Sequence, residues 1–474
     1  MVTTLTLDLG TSATKAALWR GGALHAMTRA SIDTSYPEPG FAEQEPDDWW
    51  GSTLHACSEL REQAPDEYGE IEAIGFSSAR ETFALFDASL RPLTRGILWS
   101  DRRGEATAAA FGDPGAFRAS TGVVLNAGTH AAKLAWVADA KPDELARSRW
   151  VLQPRDLVLA RLTGRVVTDE TLASRTGLCG LTGGWLDGAR ETYGERLPPI
   201  VGAATLVGGL TTEAARVLRL GPDVQVVAGA GDRACEVLGT GSSALAPMVS
   251  FGTTANASVP HAGPPDALPI VAAVSRGALG GYLVEAGLSA AGAAIAWLAS
   301  LTGRDHDALF EAAADVEPGA AGMVALPWLA GARGPWWQPD TRAAFVGLTD
   351  AHGAGELARA ILEGVALDAA RCIDLVAPDA AELIVAGGGA AQPVWRSVLA
   401  AVTDRPVARR ATDDAASVGA RLVVAAARDE VLTVDDVSPV VGREEPDAAL
   451  VAAYRDVRAA SDAAAAAVLG IENA

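Results

Sequence analysis

The sequence predicts an α/β protein built as two similar lobes that face each other across a cleft. Three observations carry this reading. The chain has 474 residues, more than one hydrophobic core of the usual domain size, roughly 100 to 200 residues, accommodates. The stretch "LDLGTSATKAALW" is echoed half a chain later by "VSFGTTANAS", and a unit repeated at that separation points to two homologous lobes. Short apolar runs bounded by glycine also alternate with segments whose apolar residues recur at helical spacing, the pattern of strands mixed with helices.

Taken in order, residues 4–9 read as a strand, 10–14 as a turn and 15–19 as its return, and "ALHAMTRASI" supplies a third strand. Residues 224–228 form a buried-strand run, after which small residues and glycines in "AGAGDRACEVLGTGSSALAP" mark the passage between lobes. The boundary falls within 239–246, which divides the chain into lobes 1–243 and 244–474. The echo repeats the first pattern, with a strand at 248–251, a turn at 252–254, a return at 255–260 and a third strand in "GGYLVEAG". Helical spacing predicts a helix over 356–375 and another over 394–402, the latter after the strand and glycine turn "ELIVAGGGAAQP". The alanine-rich end, "DAALVAAYRDVRAASDAAAAAVLG", reads as a closing helix by propensity.

Apolar residues are 49% and charged residues 20%, the balance of a folded globular chain. A formal net charge of -21 excludes wrapping a nucleic-acid backbone or an anionic membrane surface. An anionic ligand must then be held by local amides, hydroxyls or a cation. Cys57, Cys179, Cys235 and Cys372 show no CxxC pairing, which predicts reduced thiols, a cytoplasmic protein and no zinc site. "MVTTLTLDLG" begins directly with a strand pattern and does not read as a signal peptide. The apolar stretches are broken before the roughly 18 to 20 residues of a membrane span.

A strand that ends in an acid and turns through Gly-Thr-Ser, as at Asp8 to Ser12, presents amides and hydroxyls toward phosphate, while its carboxylate helps hold a hydrated magnesium ion. Lys15 adds a cation close by. Taken alone the turn is also an ordinary hairpin, but two such turns facing each other can grip a polyphosphate from both sides. Neither GxxxxGK[ST] nor GxGxxG is present, which argues against a P-loop enzyme and a dinucleotide site. "VAGGGAAQPVWRSVL" offers glycines that permit close approach to a base or ribose, or simply a tight strand-to-helix turn. Asp232, after a buried-strand run, is either the base that accepts a substrate hydroxyl's proton or the N-cap of a helix over Ala234 and Cys235. Arg80, Glu81, Asp101 to Arg103 and Asp156 are candidates to bind a polyhydroxylated ligand, with surface ion pairs as the alternative. Trp336 and Trp337 are either stacking or core residues.

With these elements in place the chain resembles the FGGY carbohydrate kinases of the actin, sugar-kinase and Hsp70 superfamily. "AAFVGLTDAHGAGELARAILE" is the most specific match, and the order of "LDLGTSATK", "LWSDRR", "GAGDRACEVLGTG", "SFGTTANAS" and "AGGGAAQPVWRSVLAAVTDRPV" agrees along nearly the whole chain. The resemblance implies two ribonuclease-H-like lobes, with the sugar on the first and ATP and Mg2+ largely on the second. By position it makes Asp232 the catalytic base, Asp8 the carboxylate near magnesium, and Thr11, with Ser12 and Lys15, the phosphate turn. Gly252 and Thr253 would contact phosphate, Gly388, Gly389 and Gln392 would surround the adenosine, and Arg80, Glu81 and Arg233 would join Asp232 at the substrate. A single acidic anchor suffices for one ATP-magnesium, and a second carboxylate would repel the phosphates.

The implied acceptor is a ketopentose, D-xylulose first. Glycerol or another polyol, ketose or sugar acid is the alternative, and a non-catalytic ATP-binding member of the superfamily is the alternative of another class. "EQEPDDWW" and "RAILEGVAL" resemble xylulokinases, "SARETFALFD" and "GPWWQPDTR" glycerol kinases. Arg80-Glu81 stands where xylulokinases usually carry Met-His. Gly128, five before Lys133, replaces an aromatic residue of glycerol kinases and implies a more open pocket. Arg233 replaces the Asn or Gln that commonly follows the catalytic Asp, which points to an unusual or acidic substrate. His130 and Ala140 depart from the first family signature. Family habit suggests a homodimer.

Overall fold

The computed structural model describes residues 2–265 and 272–471. In the first lobe β1 (Thr3–Leu9), β2 (Ala13–Arg20) and β3 (Ala23–Ser31) form an antiparallel meander. Helix α1 (Pro46–Gln63) packs on β2 and β3, and the chain returns as β4 (Ile71–Ser78), parallel to β1 on its free side. β5 (Leu206–Gly208) and β6 (Gln225–Val227) complete the spatial order β5-β6-β4-β1-β2-β3. Every residue of β1 is buried, as a central strand covered on both faces must be. Helix α2 (Asp232–Thr240) then leaves this lobe.

The second lobe repeats the plan with β7 (Met248–Phe251), β8 (Ala255–His261), β9 (Ala273–Arg276), β10 (Tyr282–Gly287), β11 (Leu383–Ala386), β12 (Val407–Arg410) and β13 (Val440–Glu444). Their order is β9-β10-β8-β7-β11-β12-β13. β7 and β8 are antiparallel and β11 is parallel to β7, as β4 is to β1. The strands expected at 248–251 and 255–260 are therefore present, and the third begins at Tyr282, just past the glycine pair of "GGYLVEAG". The helices expected over 356–375 and 394–402 are α3 (Ala354–Val376) and α4 (Pro393–Thr403), and the closing helix spans Ala448–Leu469.

A helix that the sequence reading leaves unassigned, α5 (Ala415–Ala427), lies against β1 and β4 of the first sheet, while α2 touches β8 and β11 of the second. Each lobe thus lends a helix to the other. The two helices meet backbone to backbone at Gly239 and Gly419: a Cβ at Gly419 would stand 1.9 Å from the Cys235 carbonyl oxygen. The stretch from Phe83 to Leu197 carries its own small core, including Phe83, Leu134, Val151 and Leu178, and supplies side chains to the cleft. All four cysteines are buried and unpaired. Among the described residues no helix is long and apolar enough to cross a membrane.

Candidate active site

Where β1 ends, Asp8 is buried and its Oδ1 accepts a hydrogen bond from Ser77 Oγ of β4 at 2.8 Å. Lys15 Nζ, on the facing strand, is 3.5 Å from Asp8 Oδ2 and 2.8 Å from Asp414 Oδ2. Asp414 also caps α5, accepting from the Ser417 amide. Burial, then the charge of Asp414, raises the Asp8 carboxyl above its ordinary range against the pull of Lys15. A cation would be favoured at this point. Thr11 and Ser12 stand on the hairpin turn itself: Thr11 Oγ1 accepts from Trp99 Nε1 at 2.9 Å and Ser12 Oγ from Arg29 Nη2 at 3.3 Å.

A first cavity of about 210 Å³ lies between the lobes and is walled by Arg80, Glu81, Asp232 and Arg233, which the sequence singles out together. Asp232 is the first residue of α2 behind the N-cap Gly231, so the capping alternative is not realised. Its side chain is 42% exposed, and Oδ1 accepts from the Arg233 amide at 2.7 Å and faces Arg80 Nε at 3.1 Å. Arg80 reaches across the cleft and donates two bonds, of 2.9 and 3.0 Å, to Glu285 of β10. Burial works to raise the Glu285 carboxyl, but Arg80 and then Arg175 outweigh it and hold it at about 2.

Glu81 has a left-handed backbone, φ 67°, a strained state for a side-chain-bearing residue that persists only when neighbours fix it. Three contacts do so: its amide donates to Gln153 Oε1 at 3.1 Å, its carbonyl accepts from Lys133 Nζ at 2.9 Å, and its carboxylate meets Arg175 Nη2 at 3.1 Å. Lys133 is fully buried, and desolvation brings it down to about 8.

The second cavity, about 450 Å³, is walled by Gly252, Thr253, Gly388, Gly389 and Gln392 over a floor where Phe251 stacks on Trp395 at 4.6 Å. A Cβ at Gly388 would meet nothing within 4 Å, whereas one at Gly389 would strike Phe251 and Trp395 at 2.7 Å. The first glycine leaves room for a ligand, and the second permits the backbone approach that shapes the floor. The turn between β7 and β8 divides the two spaces: Gly252 and Thr253 face the second cavity, Thr254 and Ala255 the first.

Other sequence candidates have structural duties. Asp101 and Arg103 form a buried ion pair, and Asp156 sits in the capping box of the helix Pro154–Thr163. Trp337 lines the first cavity, while Trp336 donates Nε1 to Asp368 at 3.1 Å in the core. His130 stacks on Phe83 with centroids 4.1 Å apart, and burial lowers its proton affinity. The reading missed Arg175, Glu285, Arg333 and Asp414. A charge inside the apolar run "GGYLVEAG" was the available signal for Glu285, and Asp before "AASVGA" was the N-cap signal for Asp414.

Residues 3–239 match the N-terminal domain and residues 247–428 the C-terminal domain of the FGGY family of carbohydrate kinases. The chain belongs to that family. The xylulose kinase of Escherichia coli strain K12 is 31% identical over 493 aligned residues, covering 95% of this chain and 96% of that protein. A glycerol kinase of Methylibium petroleiphilum is 31% identical across 82% of this chain and 81% of its own. The crystal structure of xylulose kinase from Rhodospirillum rubrum has a TM-score of 0.89 at 27% identity and covers 99% of each chain. As an FGGY kinase the protein is a phosphotransferase acting on a sugar or polyol hydroxyl, with ATP as phosphate donor, in the two-lobed fold of the actin, sugar-kinase and Hsp70 superfamily.

Proposed function

We infer that the chain transfers the γ-phosphoryl group of ATP to a primary hydroxyl of a small acceptor in the first cavity, with Asp232 as general base. The observation that carries this is the shared wall: one turn, 252–255, separates a glycine-lined cavity from the smaller polar one that holds Asp232. A phosphate chain lying along that turn would bring its end to the acceptor. The acceptor oxygen forms a bond to phosphorus as the bond to the β-phosphate oxygen breaks, ADP leaves, and the hydroxyl proton passes to Asp232. Arg80 holds the Asp232 carboxylate in place, and the inter-lobe Arg80–Glu285 pair keeps the cleft closed against water, whose phosphorylation would waste ATP.

The groups at the end of β1 fit a magnesium ion. Asp8 is a buried carboxylate crowded by like charge, and Mg2+ is ordinarily held through one or two carboxylates together with substrate phosphates and water. When bound, the ion would neutralise charge on the phosphates, with Asp8 as its anchor and Lys15 beside it. Gly252 and Thr253 would meet the phosphates, Thr11 and Ser12 the hairpin side of that path, and Gly388, Gly389 and Gln392 the adenosine. On this reading residues 1–243 form the acceptor lobe and 244–474 the nucleotide lobe.

Among neutral acceptors D-xylulose stands first, supported by the E. coli relative, followed by glycerol. The deciding experiment is ADP release with ATP and Mg2+ against a panel of ketopentoses, polyols and sugar acids, beside Asp232→Asn. Acceptor-stimulated release should fall by about 10² to 10⁴-fold in the variant, and undiminished turnover would sink the assignment.

A further inference from the structure

Four arginines line the first cavity, and three of them are occupied. Arg80 is held by Glu285 and Asp232, Arg175 by Glu81, and Arg233 by Glu236 and Ser250. Arg333 has no carboxylate partner among the described residues; its guanidinium lies 5.8 Å from the Trp337 ring centroid. It fits against Gly287, where a Cβ would come within 3.1 Å of Nη2. Arg175 Nη1 and Arg233 Nε also face the Glu285 carboxylate, at 3.9 and 3.7 Å. The Arg333 side chain is exposed at the cavity and open to an arriving anion.

We propose that the acceptor is a sugar acid whose carboxylate is bound by Arg333. A neutral polyol could accept hydrogen bonds from Arg333 but would leave its charge without a counter-ion. A carboxylate supplies that counter-ion, and its two oxygens match the planar guanidinium fork. The inference rests on the phosphoryl-transfer reading and narrows only its acceptor.

The test compares matched compounds on the full-length chain at saturating ATP and Mg2+: D-gluconate with D-glucitol, D-xylonate with xylitol, and D-xylulose and glycerol 3-phosphate alongside. One aldonate should exceed its alditol and D-xylulose in kcat/KM by about thirtyfold or more, the scale of a charge-assisted contact, and the advantage should shrink as salt is raised. Arg333→Met should remove the advantage through KM rather than kcat, and Arg333→Lys should recover part of it. Preference for D-xylulose or another neutral compound would overturn the carboxylate and leave the kinase reading intact. Preference for the polyol phosphate would likewise overturn it, as would an acid-to-neutral ratio unchanged in Arg333→Met. Silence with every acceptor would overturn both readings. Should Arg333→Met fail to fold, the wild-type ratio and its salt dependence decide.

Discussion

Asp414 shows how much a single side chain can connect. It caps α5 and at the same time fixes Lys15, 399 residues away in the chain, beside Asp8. The two duties separate by substitution. Asp414→Ala removes both and should lower the free energy of unfolding by about 1 to 2 kcal/mol for the lost cap alone. Asp414→Asn can still cap, so it should keep most of the stability while losing the ionic hold on Lys15. Denaturant unfolding of the two variants, run beside ADP-release assays, should split them in stability and bring them together in reduced turnover. Equal stability losses would mean that the capping role is misread.

At the scale of elements, the crossing of α2 and α5 depends on two glycines, and it gives the same substitution opposite signs at two helical sites. Gly419→Ala puts a methyl against the Cys235 carbonyl, which stands 1.9 Å from the ideal Cβ position. Backbone must move, and the expected cost is about 1 to 3 kcal/mol or more. Gly51→Ala, on an exposed face of α1 with nothing within 4 Å, should instead add up to about 1 kcal/mol through helix propensity. Thermal melts of both variants check the contrast, and a stabilised Gly419→Ala would refute the close crossing. This crossing also marks where the sequence stopped being legible. The duplicated hairpins announced themselves because each has a local period and a glycine turn. The same holds for Asp232 and for the glycines of the second cavity, which lie in or beside such turns. Residues joined only by the fold left no periodic trace: α5 returning to the first sheet, the inserted core around Phe83, and Arg175 and Arg333 lining one cavity.

Across the whole molecule, Glu285 is a buried anion that ties the lobes together, since it lies on β10 of the second sheet and is bound by Arg80 of the first lobe. Its carboxyl is held at about 2, below the ordinary 4.5, because the arginines outweigh the effect of burial. A carboxyl depressed in the folded state stabilises it fully above pH 4.5 and loses that contribution as pH falls toward 2. The difference between those values corresponds to on the order of 3 kcal/mol. Glu285→Gln should therefore be the less stable protein near neutrality, where it leaves Arg80 and Arg175 without their shared anion. Wild type, by contrast, should lose more stability than the variant between pH 5 and pH 3, so that the two curves converge in acid. Urea unfolding across that window measures the convergence. Parallel curves would show that Glu285 contributes no net ionic stabilisation to the closed cleft, and that other contacts between the lobes, the α2 and α5 crossing and the Arg276–Glu170 pair among them, hold it.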